Sequence, residues 1–274
     1  MRYSGAVNIS SFHTHTRLCK HASGDPIDYL KVATSEGCSG LGISDHCPYP
    51  DGTWGGSRMD PSQVREYVAL VMAAREQVSF PFFWGFECEW HPKYESWYRD
   101  FLRAETGAEY LVYGSHWVEV DGCFEYIPDA GDHKNLKPYV DLTLEGLSSG
   151  LFDVFAHPDI FLAGFPRWDA DLKAASKDII AAAIAARIPM EVNGLGLTKP
   201  RVAGPEGMRP PYPVREFLDL AASEGAVLIC NSDAHRPQDA LAQARNAETW
   251  AYSRGIPTVD AIEALAFAKG TARA

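Results

Sequence analysis

Apolar residues along this chain fall in short runs that alternate with stretches of helical spacing, almost from end to end. The segment 8–15 reads as a strand. Asp25-Pro26 then offers an N-cap with proline at the first helical position, Ile27, Leu30 and Ala33 share one face, and Gly37 is the stop. A strand is expected over 40–44; a second cap at Asp60-Pro61 opens a helix carrying Val64, Val68, Val71 and Met72, which leads to a strand over 80–86. The period continues with strands over 110–114, 151–156, 189–192 and 226–230. Between them come helices over 136–147 and 170–187 and one holding Val214, Phe217, Leu218 and Ala221 that Gly225 closes; helices over 239–252 and 258–269 end the chain. Seven strands alternating with helices predict a parallel sheet, and strands this short and apolar predict burial on both faces.

The polar residues add a second pattern. Where the apolar runs end stand His13-Thr14-His15 with His21, Asp45-His46, Glu87, His116, His157-Pro158 and Asp233-Ala234-His235, so that seven of the nine histidines sit in short clusters with carboxylates. Imidazole and carboxylate suit divalent zinc, iron and manganese, and a strand places alternate residues on one face, so His-x-His can offer both rings to one ion. About nine such groups exceed what a mononuclear site uses and match two or three ions, three being the preferred count. Ligands at the ends of nearly every strand must converge on one point. An open sheet cannot arrange this, but a closed barrel with its site at the C-terminal rim can, and the fold expected is a (β/α)7-type barrel forming one domain over residues 1–274. The Gly- and Pro-rich segments 49–59 and 193–212 are expected as long loops on that rim, shaping a pocket.

Composition narrows the function classes. The 274 residues are 46% hydrophobic and 22% charged, as in globular proteins, and the formal charge of -11 argues against a nucleic-acid polymer as partner. Bound metals would reverse the field locally, so a small anionic substrate stays compatible. Residues 1–12 show no basic segment followed by a long apolar stretch, and no run approaches the roughly 20 apolar residues of a membrane span, so a cytoplasmic protein is expected. Cys19, Cys38, Cys47, Cys88, Cys123 and Cys230 contain no Cys-x-x-Cys pair and read as reduced thiols, with Cys88 pointing away from Glu87. The oligomeric state is not legible.

At these residues the chain resembles the polymerase and histidinol phosphatase (PHP) superfamily, and within it the monofunctional histidinol-phosphate phosphatases. The matching segments are Phe-His-Thr-His-Thr-x-x-Cys-x-His (12–21), Gly-Ile-Ser-Asp-His-x-Pro (42–48), Gly-Phe-Glu (85–87), Gly-Ser-His (114–116), Ala-His-Pro-Asp (156–159), Glu-Val-Asn (191–193) and Asn-Ser-Asp-Ala-His (231–235). The resemblance implies a distorted barrel of the PHP type with three ions: one held by His13, His15, Glu87 and Asp233, a second by Glu87, His116 and His157, and a third by His21, His46 and His235. Glu87 would bridge two of them. Glu89 is read as a rim carboxylate that orients a ligand or the substrate, Asp45 as a supporting hydrogen-bond partner, and His91 and His133 as surface residues. One departure concerns phosphate: these phosphatases tend to carry Asn-Thr-Ser-Gly-hydrophobic-Arg after the sixth strand, whereas this chain has Asn193-Gly194-Leu195-Gly196-Leu197-Thr198. Lys199, Arg201, Arg167 and Arg17 are the candidate substitutes for the missing arginine.

Such a site implies phosphomonoester hydrolysis. Metals generate hydroxide from a bridging water at neutral pH, neutralise phosphate oxygens and align attack with departure, so no serine or cysteine nucleophile is required. Asp45, Glu89 or a metal-bound water are the candidates for protonating the leaving alkoxide. The leading substrate is L-histidinol phosphate, hydrolysed to L-histidinol and phosphate in histidine biosynthesis. The alternatives are a PHP phosphoesterase acting on a nucleotide or other metabolite phosphate and, from another class, a noncatalytic metal-binding module.

Overall fold

The computed structural model describes residues 9–268. Asn8 and Lys269, the outer ends of the first predicted strand and the last predicted helix, lie outside them. Among the described residues seven parallel strands form one sheet: β1 (Ile9–Ser11), β2 (Cys38–Ile43), β3 (Phe82–Cys88), β4 (Tyr110–Gly114), β7 (Val154–Ala156), β8 (Met190–Asn193) and β11 (Leu228–Asn231), in that spatial order. Two antiparallel hairpins stand outside it, β5 (Trp117–Val120) with β6 (Cys123–Tyr126) and β9 (Val202–Gly204) with β10 (Gly207–Arg209). The sheet curls until β1 and β11 meet, but that seam is not a regular ladder. Phe12 N–H donates to Asn231 Oδ1 at 2.8 Å, Ser232 N–H to Ser11 Oγ at 3.0 Å, and His15 N–H to the Ala234 carbonyl at 2.9 Å. Side chains replace part of the backbone pairing there, and this is what distorts the barrel.

Strand periodicity sorts the interior from the outside. Tyr110, Val112, Val154, Ala156 and Ile229 pack with Phe12 inside the barrel, where Ala261, Ala264 and Leu265 of helix α7 (Ala261–Ala268) join them. Their neighbours Trp84, Phe86, Cys88, Leu111, Tyr113 and Phe155 face outward into the larger core beneath the helices. The interior is crowded: a Cβ on Gly42 would stand 2.8 Å from the Phe12 ring and 2.4 Å from the Tyr110 hydroxyl, so only glycine fits. Glu87 shares the parity of Gly85 and therefore points inward, which carries one carboxylate to the barrel axis.

The helices follow the predicted spacing: α1 (Pro26–Ser35), α2 (Val64–Arg75), α3 (His133–Ser148), α4 (Ala170–Ala186), α5 (Arg215–Ser223) and α6 (Ala242–Tyr252). Asp60 caps a short 3₁₀ turn over Pro61–Gln63 that leads into α2, accepting Ser62 N–H at 2.9 Å, whereas Asp169 caps α4 directly through Leu172 N–H at 3.0 Å. Between β3 and β4 the chain forms a π-helical segment over Trp97–Glu105. Among the described residues no helix is long and apolar enough to cross a membrane.

Candidate metal centre

Because all seven strands run the same way, the residues at their C-terminal ends meet at one rim. Glu87 lies at the centre, almost fully buried, with five imidazoles around its carboxylate: His46 Nδ1 at 2.8 Å, His157 Nε2 at 3.0 Å, His13 Nε2 at 3.5 Å, and His15 Nε2 and His116 Nε2 at 3.6 Å. Asp233 adds a second carboxylate, 3.1 Å from His15 Nε2 and 3.5 Å from His13 Nε2. Space for the Glu87 side chain is made by Gly114, where a Cβ would fall 2.4 Å from Glu87 Oε1 and 2.7 Å from the His116 ring. The segments 12–21, 114–116 and 231–235 are thus brought together as the spacing predicted.

Neighbouring groups aim these rings. Glu191 Oε1 lies 2.9 Å from His13 Nδ1, while its other oxygen accepts His157 N–H at 2.9 Å and the Asn193 amide at 2.8 Å. A carboxylate on Nδ1 selects the tautomer whose Nε2 lone pair faces Glu87 and Asp233. Glu89 does the same for His116, with Oε1 2.7 Å from Nδ1 and Oε2 accepting the backbone N–H at 3.0 Å. His21 and His235 point their Nδ1 atoms at the carbonyls of Cys19 and Asp233, at 2.8 and 2.9 Å, which leaves their Nε2 lone pairs facing each other 3.0 Å apart. Two lone pairs at that separation repel unless a cation lies between them.

The electrostatics agree with a cation site. Burial pushes the Glu87 and Asp233 carboxyls up, but the surrounding imidazoles, His46 first for Glu87 and His13 first for Asp233, outweigh it and hold both well below the usual range. Burial works against a charged His15 as well, yet Asp233, Asp45 and Glu87 push it up to about 9, and His13 rises likewise beside Asp233, Glu191 and Glu87. At the outer edge the balance reverses. Burial and then the His15 charge lower His46 well below its normal value and bring His235 to about 3. His13 Nε2, His15 Nε2 and Glu87 Oε2 are buried and make no hydrogen bond, so the donor set fits divalent ions. Cys19 Sγ is 4.0 Å from His21 Nε2, but burial raises its thiol strongly and disfavours a thiolate there.

A pocket of about 430 Å³ opens above these groups. His21, His46, Glu87, His116, Asp233 and His235 form its floor; Arg58, Trp117, Tyr126, Leu195, Lys199 and Tyr212 are among its walls. Of the four cations proposed as substitutes for the missing arginine, only Lys199 borders it. Arg17 is held by Asp25 at 2.8 Å and Glu66 at 2.7 Å, Arg167 lines a separate cleft beside Trp168, and Arg201 lines another beyond β9. Their reach was open in the sequence, and neighbouring carboxylates or loop direction turn them elsewhere. Thr198, at the arginine position, is exposed and donates its hydroxyl to the Leu195 carbonyl at 2.8 Å. Asp45 and Glu89 do not border the pocket either, so of the three candidates for protonating the leaving group, these two carboxylates and a metal-bound water, the two carboxylates are placed away from it. Asp45 accepts His46 N–H at 2.8 Å and the Thr16 hydroxyl, and Glu89 is buried between His116 and Arg58. His91 caps the turn over Pro92–Tyr94, and His133 pairs with Asp169 at 2.9 Å; both lie outside the cluster.

Three contributors were missed. Arg58, its side chain 2% exposed, places Nη2 2.5 Å from Glu89 Oε1 and Nη1 3.2 Å from His46 Nδ1, with Tyr49 and Trp54 ring centroids 5.5 and 5.6 Å from its Cζ. Glu191 was quoted inside a motif without a role. The β5–β6 hairpin carries Trp117 and Tyr126 to the pocket mouth, and its signal was present: Asp121-Gly122, both at positive φ, between alternating residues.

Comparison with known proteins supports this picture. A family model described as PHP domain matches residues 11–194. A curated protein of Deinococcus radiodurans named "Probable histidinol-phosphatase" is 29% identical over 244 residues, covering 84% of this chain and 88% of that one. Among solved structures, HisK from Listeria monocytogenes superposes with a TM-score of 0.66 at 20% identity, covering 84% of this chain and 96% of that one. The histidinol phosphate phosphatase HisK of Lactococcus lactis, solved with zinc, L-histidinol and phosphate, also gives 0.66, at 13% identity over 92% and 95% of the two chains. At these identities the two structures speak to the fold.

Proposed function

The chain belongs to the PHP domain family and is a metal-dependent phosphoric monoester hydrolase, and from that premise we propose that its substrate is L-histidinol phosphate, cleaved to L-histidinol and phosphate. The observation that carries the reading is the Glu87 carboxylate within 3.6 Å of five imidazoles at the floor of a pocket sized for a small ester. His13, His15, Glu87 and Asp233 would hold one ion, Glu87, His116 and His157 a second, and His21, His46 and His235 a third. Bound divalent ions lower the pKa of water and neutralise phosphate charge. The chain's own residues do the rest. Glu191, Glu89 and the two backbone carbonyls fix the ring tautomers; Trp117, Tyr126 and Tyr212 offer aromatic walls to an imidazole-bearing leaving group; Arg58 and Lys199 bring positive charge to the phosphate end. The donor set suits zinc, iron and manganese alike.

Phosphate release from histidinol phosphate, measured beside nucleotides and sugar phosphates, tests the substrate. The reading requires histidinol phosphate to have the highest kcat/KM. Preference for a nucleotide or sugar phosphate would support the alternative metabolite phosphoesterase, which the turned-away Thr198 favours. Lys199→Ala is expected to raise KM for histidinol phosphate about ten- to hundredfold, the ~1.5–3 kcal/mol of a hydrogen bond to a charged group. An unchanged KM in steady-state assays contradicts its phosphate contact.

A further inference from the structure

Beyond the Lys199 turn the chain enters the β9–β10 hairpin, and between that hairpin and the start of α5 and end of α6 lies a second cleft, of about 250 Å³. Arg201, Arg215 and Arg254 line it, together with Trp250 and the carboxylates Glu206 and Glu216. A fourth arginine there, Arg209, is committed to structure: its Nη atoms donate to the carbonyls of Leu162, Phe165, Pro210 and Pro211. Arg215 reaches Asp219 at 3.2 Å, one turn along α5. Arg201 and Arg254 form no ion pair among the described residues; Arg254 lies 4.3 Å from the Trp250 ring centroid and donates to the Trp250 carbonyl and Ser253 Oγ.

In a chain with 36 acidic and 25 basic residues, cations normally find carboxylate partners, so two guanidinium groups without an ion pair, in a cleft lined by four arginines and two glutamates, mark a local positive potential. The Arg254 guanidinium feels it: partial burial and then the Arg215 and Arg201 charges lower its pKa from the usual value. Guanidinium forks match oxyanions bidentately, and a ring beneath one of them holds it in place. We propose that this cleft is a second ligand site, separate from the metal centre, for a small doubly charged oxyanion held by Arg201 and Arg254. Glu206 and Glu216 border it and repel anions, so the charge it takes is confined to the arginine side. One residue, Pro200, separates Lys199 at the main pocket from Arg201 at the cleft, which places both sites on one loop.

Isothermal titration of the metal-loaded protein with sodium sulfate and, separately, disodium succinate tests this, comparing wild type with Arg201→Ala/Arg254→Ala. Circular dichroism and metal content establish that the variant is folded and loaded. The expected result is a binding event in at least one arm that weakens tenfold or more in the variant. Sulfate alone would mark a tetrahedral anion site and succinate alone a carboxylate site. Charge-reversing Arg254→Glu should abolish the same event. Isotherms that coincide in wild type and both variants, or show no binding in either arm, overturn the proposal.

Discussion

Glu87→Gln is expected to lower kcat by more than a hundredfold while the circular dichroism spectrum stays that of the wild type. The amide keeps the shape of the carboxylate but removes the one charge that five imidazoles share, and changes to ligands and their supporting groups commonly cost about 10- to 100-fold each in affinity or activity. Glu87 is buried but lies among ligands at the rim and not among apolar core side chains, so folding should survive. Elemental analysis of the variant should also show less bound metal than wild type. Near-normal turnover at saturating metal contradicts the bridging role.

The second large effect falls on stability. Arg58→Ala removes the partner of a carboxylate whose side chain is only 4% exposed, and leaving one member of a buried ion pair alone costs about 3–5 kcal/mol. His116 also contacts Glu89 and moderates the loss, which places the expected value at the lower end. The double variant Arg58→Met/Glu89→Gln should recover much of it, because removing both charges removes the uncompensated one. Urea denaturation of Arg58→Ala and of the double variant, each against wild type, measures this. A cost below about 1 kcal/mol for Arg58→Ala means that the pair is solvated and its contribution is that of a surface bridge.

The contrast between Glu87 and Arg58 also shows what was legible in the sequence. Glu87 was readable because it ends an apolar run that forms β3, and alternation put His13 and His15 on one face; Asp233 lies beyond β11 at positive φ, where parity does not apply. Arg58 was not readable, because it sits in the loop 49–59, where no period fixes a direction and a long flexible side chain can reach several places. The same freedom explains Arg17, which stands between His15 and His21 but is led away by Asp25 and Glu66, and Arg201, which follows Thr198 but lies past the turn at Lys199. Glu191 was visible in the sequence, but its contact with His13 spans 178 positions and arises only when the barrel closes. The hairpin over the pocket is different in kind: Asp121-Gly122 is a turn signal legible in the sequence, between two short half-exposed strands.

Alternation set the strand count and the common rim, whereas the manner of closure depended on Ser11, Asn231 and Ser232, small polar residues with no periodic signature. Their hydrogen bonds hold the ends of β1 and β11 together without a full ladder. The distortion thereby brings the His13 and Asp233 segments into contact, joining the segments that follow β1 and β11 at the metal centre.

Turnover is expected to require three divalent ions held by nine side chains at this rim. The most direct measurement is a titration of chelator-treated, refolding-competent protein with zinc or manganese, recording phosphate release from histidinol phosphate at each equivalent. Activity should be absent at the start, rise with added metal and level off at three equivalents per chain. Full activity before any metal is added, or a plateau reached at one equivalent or fewer, would contradict the account.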